Sequence, residues 1–246
     1  MFATIIPLGY ERDIEYLRTT VYRVRSWGGH VIIVSSIPLE SHWSKWARVI
    51  VDEKLGATRA RVVGIEEVIG KYNFYVFLDS DAVPQKIPKP NSVMAVRQIV
   101  NHPLGSLISK FAIVAHGIYL DRELYIIGAT KVSATNTCCI SVDENYVNHM
   151  LDILKSLPDG IYAEMFLATH ATGAITGVYL TASGIVDHYN RTTVYGWYYP
   201  AGKYEAGMKY FCDTFRRNTE YYYKYGTPKI IHDGLEIALP PRFVCV

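Results

Sequence analysis

The sequence predicts an α/β fold in which a mixed sheet is flanked by helices. Three observations lead to this prediction. Apolar, strand-like runs alternate with amphipathic segments over residues 1–83, short glycine-containing breaks separate them, and half of the 246 residues are hydrophobic. Strands that alternate with helices form parallel sheets covered on both faces. A chain of this size can bury one full core, so we expect a single domain over 1–246, with halves at 1–90 and 91–246.

The first half is predicted to hold four strands and three helices. Residues 13–27 form the first helix because Ile14, Leu17, Val21 and Val24 recur at helical spacing. The other elements, in chain order, are strands at 2–7 and 30–36, a helix from Ser41 or Ser44 to about Leu55, a strand at 59–63, a short helix at 65–69 and a strand at 73–78. Ligands of parallel sheets bind where the strands end, so the residues that follow these strands are the first candidates for a site.

The chain after residue 83 is predicted to alternate less regularly. Its elements are a proline- and lysine-rich loop at 84–90, a helix at 92–100, strands at 111–120, 124–127 and 137–141, helices at 145–157 and 162–170, a strand at 178–186, and a helix within 203–225. The C-terminal tail is rich in aromatic residues, among them Tyr195, Trp197, Tyr198 and Tyr199. These rings could form a platform for sugars or belong to the core, and both interpretations stay open.

Composition excludes several classes of function. The net charge of +2 gives no support for a nucleic-acid partner. No stretch approaches the roughly 18 continuous apolar residues of a membrane span, and no basic segment of a signal peptide precedes the first strand. The four cysteines form no CxxC pair, which favours reduced thiols and leaves a Cys212–Cys245 bridge open. We expect a cytoplasmic protein without a transmembrane segment, and leave peripheral membrane contact and homo-oligomerisation open.

Two carboxylates follow the last strand of the first half. Asp79 and Asp81 are two residues apart, so on continuous strand geometry both point to the same side. Ionised carboxylates at the end of a buried strand need solvent, a cation or strong donors, and two such oxygens suit Mg²⁺ or Mn²⁺. A turn in which both acids cap backbone N–H groups is the competing interpretation. The position after three strand–helix units favours the metal site.

Two segments of the chain resemble the GT-A glycosyltransferases. One is Thr4–Tyr10, a first strand with a proline-containing exit, and the other is Tyr75–Asp81, a strand that ends in a DxD motif. The resemblance covers the first 83 residues well and the rest loosely. It implies a GT-A-like, Rossmann-type mixed sheet with an acceptor-side extension. It also implies a metal-dependent transferase that moves a sugar from a nucleotide diphosphate donor to a hydroxyl acceptor on a glycan, protein or lipid.

The resemblance also implies roles for individual residues. Asp81 would bind Mn²⁺ or Mg²⁺ directly, Asp79 would reach the ribose or the metal through water, and His188 would complete the metal shell. Glu164 would act as the catalytic base, with Asp159 as its substitute. Arg191 or Lys203 could neutralise phosphate. The residues expected to contact the nucleotide sugar are Pro7, Leu8, Gly9, Tyr10, Arg12, Ser35, Arg61, Asp79 and Ser80.

Simpler roles stay open for several of these residues. Glu164 could be a solvated helix residue or an N-cap charge, and Asp159 a turn residue before Gly160. Ser35 could belong to a strand-end turn, Arg61 to a solvated strand edge, and His188 could be a structural histidine. Three other functions also compete. Haloacid-dehalogenase-type phosphatases share the pattern of Asp79–Val83, although in them it normally lies on the first strand. A nucleotidyltransferase of similar sheet would need the same acids, and a non-catalytic module would bind a sugar nucleotide without turnover.

Overall fold

The structure is a computed structural model. It describes residues 1–53, 56–87, 93–100, 129–132, 139–156, 178–188, 229–232 and 235–238. The strands are β1 (Phe2–Leu8), β2 (Gly29–Ser35), β3 (Arg48–Val51), β4 (Phe74–Leu78), β5 (Ala82–Lys86), β6 (Val93–Val100), β7 (Ala129–Val132), β8 (Cys139–Asp143), β9 (Val178–His188), β10 (Lys229–His232) and β11 (Leu235–Ala238). The helices are α1 (Ile14–Ser26), α2 (Ala57–Val68) and α3 (Glu144–Ser156), with short 3-10 turns at Glu11–Asp13 and Ser41–Lys45.

The described strands form one large mixed sheet and a separate hairpin. The order along the large sheet is β3-β2-β1-β4-β8-β6-β9-β5, with β7 also paired to β9, and β10 pairs with β11. The first four strands in this order run parallel, and β8 then pairs antiparallel to β4. The predicted mixed α/β sheet is therefore confirmed. Its parallel part brings the carboxyl ends of β1, β2, β3 and β4 to the same edge.

Side chains of the central strands alternate between two covered faces. Ile6 and Ile33 join a core cluster with Leu17 and Val21 of α1. Ile5 faces the other side, where Gly64 of α2 approaches it closely. Because both faces of the parallel strands are buried, these strands read as continuous apolar runs in the sequence.

Gly64→Ala is expected to destabilise the protein. A Cβ at this position would lie 2.4 Å from Cγ2 of Ile5, so α2 would have to move away from the sheet. Overpacking of this kind costs about 1–3 kcal/mol, whereas replacing a helical glycine by alanine gains about 1 kcal/mol at most. We therefore expect a net loss of about 1–2 kcal/mol in the free energy of unfolding by urea, and no change for Arg59→Ala, an exposed position of the same helix. An alanine variant as stable as the parent would show that the helix does not pack this closely.

Two predicted elements of the first half are wrong. The segment 59–63 is not a strand but part of α2, and the predicted helix from Ser41 or Ser44 to Leu55 is a 3-10 turn followed by β3. The four residues of β3 pair with Ile32–Ser35, so sheet pairing decides their conformation. In α2 the buried residues Arg61, Ile65 and Val68 recur at helical spacing. The two valines that follow Arg61 are typical of a strand, which is why the sequence predicts a strand here.

Two predictions after residue 83 are also wrong, and several along the chain are confirmed. Within the segment predicted as a helix at 92–100, residues Val93–Val100 form a strand, β6, which pairs with both β8 and β9. Part of the predicted loop at 84–90 is β5, which pairs antiparallel to β9. The elements confirmed in type are those predicted at 2–7, 13–27, 30–36, 65–69, 73–78, 137–141, 145–157 and 178–186. The elements predicted at 111–120, 124–127, 162–170 and 203–225, like the tail aromatics, lie outside the described residues.

Within the described ranges, no helix has both the length and the apolar character needed to cross a membrane. Cys139 on β8 is a buried thiol outside any disulfide, and burial raises its pKa well above the ordinary value. The other three cysteines lie outside the described residues. The single-domain organisation stays a prediction.

Candidate functional site

The carboxyl ends of the parallel strands are joined by backbone hydrogen bonds. The N–H of Ser36, just after β2, donates to the carbonyl of Leu8 at the end of β1 over 2.9 Å. The N–H of Asp52, just after β3, donates to the carbonyl of Ser35 over 2.8 Å. The loop Asp79–Asp81, which we call the DSD loop, follows β4 at the same edge. The residues that follow these strands, which the sequence makes the first candidates for a site, therefore lie at one edge of the sheet.

Asp79 is paired with an arginine from a helix. The Nη2 atom of Arg61 donates to Oδ1 of Asp79 over 2.5 Å, and the two side chains are 4% and 31% exposed, respectively. Arg61 comes from α2 and not from a strand as predicted, so its guanidinium reaches the DSD loop from a helix that packs on β1 and β2. Asp79 keeps part of its surface accessible while its charge is offset.

Asp13 is a functional candidate that the sequence reasoning missed. It is only 3% exposed, and Ser80 Oγ in the DSD loop donates to its Oδ2 over 2.7 Å. Its Oδ1 has no hydrogen-bond partner among the described residues, and Nε of Arg12 lies 3.9 Å away. An aspartate just before a helix is typical of an N-cap, but Asp13 makes no capping bond to α1. The missed signal is an acid that follows β1 at the same edge as the DxD motif.

The electrostatics of Asp13 reflect burial and neighbouring acids. The pKa of Asp13 is raised from 3.8 to about 6, mainly by burial and also by the charges of Asp81 and Asp79, while the Ser80 bond and Arg12 act to lower it. Asp81 is itself 8% exposed. Three carboxylates thus lie close enough to repel one another, which is the condition that a bound cation relieves.

Asp13→Asn is expected to stabilise the metal-free protein at neutral pH but not in acid. Because the folded-state pKa of about 6 lies above the ordinary 3.8, the folded state binds the proton more tightly, and stability falls as pH rises from about 4 to about 6. That difference in pKa corresponds to about 3 kcal/mol at most. Asparagine stays neutral and still accepts the Ser80 bond. The gain in the free energy of unfolding relative to the parent should therefore appear at pH 8 and vanish at pH 4. Urea unfolding in EDTA measures it, with exposed Asp152→Asn as control. A pH-independent difference would contradict the explanation.

Helix α1 holds the backbone that follows the DSD loop. Thr20 Oγ1 donates to the carbonyl of Ala82 over 3.0 Å, and Nη1 of Arg23 donates to the carbonyl of Pro84 over 3.1 Å. Together with the Ser80 bond to Asp13, these contacts engage residues 80, 82 and 84, which run from the turn closed by the Ala82 N–H to Asp79 carbonyl bond into β5. The acids are therefore held in place by polar side chains of a helix as well as by the sheet.

His188 lies beside the DSD loop in backbone register. Strands β5 and β9 pair antiparallel, with His188 opposite Ala82, the residue directly after Asp81. Residues paired in this way have Cα atoms about 4.5–5.5 Å apart. The fold thus brings the backbone of the predicted third metal ligand next to the acids, and its role stays a prediction. Among the residues whose side chains are described, no group of three or more His, Cys, Asp or Glu is arranged as a metal site.

The loop after β1 presents a tyrosine and an arginine at the sheet edge. The guanidinium of Arg12 lies 4.6 Å from the ring centroid of Tyr10. Gly9 is exposed and Pro7 half-buried, whereas Leu8 is buried in the core. Tyr10 and Arg12 are the members of this loop that offer functional side chains to a ligand.

Ser35 has a local structural role. Its hydroxyl donates to the carbonyl of Ile37 over 2.7 Å and accepts from the N–H of Ile37 over 3.3 Å, which is a strand-end turn. Its predicted contact with the nucleotide stays a prediction. The other predicted residues, Glu164, Asp159, Arg191 and Lys203, lie outside the described residues.

The fold is similar to that of solved glycosyltransferases. One is GalNAc-T7, crystallised with UDP, GalNAc and Mn²⁺, at 10% identity and a TM-score of 0.52, covering 78% of this chain and 44% of that chain. Another is S. aureus TarS 1–349, at 13% identity and a TM-score of 0.50, covering 75% of this chain and 59% of that one. The chain therefore spans about half the length of these structures. No protein-family model and no curated protein matches the sequence.

At this level of identity the likeness concerns the fold alone. The chain has an α/β, GT-A-like fold, in which a mixed sheet is flanked by helices. The predicted fold class is confirmed.

Proposed function

We propose that this chain is a metal-dependent glycosyltransferase that moves a sugar from a nucleotide diphosphate to a hydroxyl acceptor. The observation that carries the proposal is the position of Asp79 and Asp81 at the sheet edge where β1, β2 and β3 also end. Ligands of parallel sheets bind at this edge. The presence of UDP, GalNAc and Mn²⁺ in the GalNAc-T7 structure, which has a similar fold, supports the choice of donor and metal.

The acids fit a hard divalent cation. All three carboxylates at the site supply oxygen, the ligand that Mg²⁺ and Mn²⁺ prefer. Asp81 would bind the metal directly, with His188 as a further ligand. Because Oδ1 of Asp79 is paired with Arg61, Asp79 would act through water or on the ribose. When bound, the metal would neutralise the charge that develops on the departing diphosphate.

The remaining residues would bind the donor and order the loop. Tyr10 and Arg12 would contact the base and ribose, since they stand at the exit of β1 beside the end of β2. Ser80 would position the DSD loop through Asp13 rather than contact the donor with its hydroxyl, which is already engaged. Arg61, which the sequence predicts as a nucleotide contact, would instead hold Asp79 in position and so affect the donor through that residue.

The transfer step needs an acceptor hydroxyl and a base. Glu164 would orient this hydroxyl or take its proton as the new bond to the sugar carbon forms. The bond from that carbon to the diphosphate breaks, and the nucleoside diphosphate leaves with the bonding electrons. The sugar itself and the stereochemical outcome do not follow from these residues.

Calorimetry with UDP-, GDP- and dTDP-sugars, with Mn²⁺ and with EDTA, tests the proposal. We expect one donor class to bind only in the presence of metal and to release nucleoside diphosphate slowly by hydrolysis. Metal-dependent binding without any turnover would favour a non-catalytic module. Release of inorganic phosphate from phosphate esters, with no binding of sugar nucleotides, would favour the phosphatase. Consumption of a nucleoside triphosphate with release of pyrophosphate would favour the nucleotidyltransferase.

A further inference from the structure

A second cleft opens at the opposite edge of the parallel strands. It has a volume of about 500 Å³ and lies among the end of α1, the start of β2, the residues before β3 and the end of α2. This volume falls within the roughly 300–1,000 Å³ of small-ligand sites. Because the cleft lies where β2 and β3 begin, the length of the parallel strands separates it from the DSD loop, which follows the end of β4. It is not part of the proposed donor site.

The cleft carries an excess of positive charge. Its lining includes the cations Arg25, Lys45, Arg48 and Lys71, against Glu67 as the acid. Glu67 Oε1 lies 3.4 Å from Nε of Arg48, so this acid offsets the charge of Arg48 and leaves the other cations of the lining in excess. The whole chain has a net charge of only +2, so positive charge is concentrated here beyond the average of the surface. Such a concentration attracts and retains anions.

Aromatic rings lie among these cations. Trp46 lines the cleft and is 51% exposed, a large apolar surface left to solvent. The guanidinium of Arg25 lies 5.9 Å from the Trp46 ring, and its Nη1 donates to the Trp46 carbonyl over 3.0 Å. On the other side, the rings of His30 and Tyr72 are 5.2 Å apart. The cleft thus offers fixed cations next to flat apolar faces.

We propose that this cleft binds a phosphate ester whose organic part packs on Trp46. Several cations facing one space match the multiple charge and acceptor oxygens of a phosphate group better than the single charge of a carboxylate. The exposed indole matches the apolar part of such a molecule. Phosphate esters of this kind occur as soluble metabolites and as the headgroups of anionic lipids, and the cleft chemistry is the same for both. The proposal does not depend on the glycosyltransferase assignment.

Binding of phenyl phosphate in EDTA, where a metal-dependent donor site is silent, tests the soluble source. Phenyl phosphate is expected to bind more tightly than inorganic phosphate, and phenol not to bind, as measured by calorimetry and by tryptophan fluorescence. The double variant Lys45→Gln/Lys71→Gln removes two exposed cations that make no ion pair among the described contacts. The described contact that it loses is the exposed hydrogen bond from Lys71 Nζ to the carbonyl of Glu67, so it should fold normally. It should weaken binding at least about tenfold, the cost of losing a charge-assisted contact. Trp46→Ala should remove the preference for phenyl phosphate over inorganic phosphate.

Vesicles test the lipid source, and a charge-matched variant is the control. Co-sedimentation compares phosphatidylcholine vesicles with vesicles that also contain phosphatidylglycerol. Arg18→Gln/Lys86→Gln removes the same charge at exposed positions outside the cleft and should change neither assay. Binding of phenyl phosphate that the cleft variant weakens assigns a soluble ester, and vesicle binding alone with the same dependence assigns a headgroup. Absence of both kinds of binding, or equal losses in the two double variants, would overturn the proposal.

Discussion

Asp81→Asn is expected to abolish metal-dependent donor binding while the protein stays folded. Asparagine keeps the size of the side chain but loses the negative charge that a divalent cation needs. Residues that only support metal ligands cost about 10–100-fold in affinity when changed, so a direct ligand should cost at least about 100-fold. Donor turnover should fall with the affinity.

Calorimetry with Mn²⁺ and the donor identified in the screen measures this loss. Asp152→Asn on α3 is the matched control, because it makes the same chemical change at an exposed position outside the site. Circular dichroism and urea unfolding establish that both variants are folded. Donor binding that stays metal-dependent and within about threefold of the parent in Asp81→Asn would remove Asp81 from the metal site, and with it the main support for the proposed function.

Asp79→Ala is expected to lower both donor binding and stability. The side chain of Arg61 is 4% exposed, so the variant leaves a buried guanidinium without its 2.5 Å contact to Asp79. Removing one partner of a fully buried ion pair costs about 3–5 kcal/mol. Because Asp79 is 31% exposed, water already screens part of this interaction, and we expect a loss of about 2 kcal/mol.

A double-mutant cycle separates the two effects of Asp79. Arg61→Met should cost less than Asp79→Ala, since water can solvate the partly exposed carboxylate that remains. The double variant should be more stable than the sum of the single losses predicts, because no uncompensated buried charge is left. Urea unfolding of the parent and the three variants gives the coupling energy. Strictly additive losses of stability would show that the pair contributes little. Donor binding is a separate readout and should stay low in both variants that lack Asp79.

The strands of the first half that could be predicted are those whose residues are mostly apolar. β1, β2 and β4 are buried on both faces, so their sequences carry a signal that no neighbour needs to supply. β3 has only four residues, none of them buried, and its conformation depends on pairing with β2. The prediction assigned a helix where β3 lies and a strand where α2 begins. These two errors offset each other, so the predicted number of strand–helix units before β4 is the same as in the structure. Asp79 and Asp81 therefore follow the fourth strand in the prediction and in the structure alike, and their role as a DxD motif stays a prediction.

The contacts of the site depend on tertiary structure to different degrees. The pattern of Asp79 and Asp81 is local, so the sequence displays it directly. Asp13 gains its importance only from Ser80, which lies far along the chain and meets it because α1 packs beside the DSD loop. Its position before a helix offers a simpler local explanation, the N-cap, which the structure excludes. Likewise, nothing near Arg61 in the sequence indicates that its guanidinium reaches Asp79.

The pairing of β5 with β9 also bears on how the protein folds. β5 begins directly after Asp81, yet its partner strand is synthesised much later in the chain. Contacts between residues so distant in sequence form slowly, because a long loop must close before they can contribute. The parallel strands of the first half can pair among themselves earlier. The pairing of β5, the strand that follows the DSD loop, has to wait for β9. The pairing that brings His188 beside Ala82 is therefore expected to form after the contacts that Arg61, Asp13 and α1 make with the DSD loop.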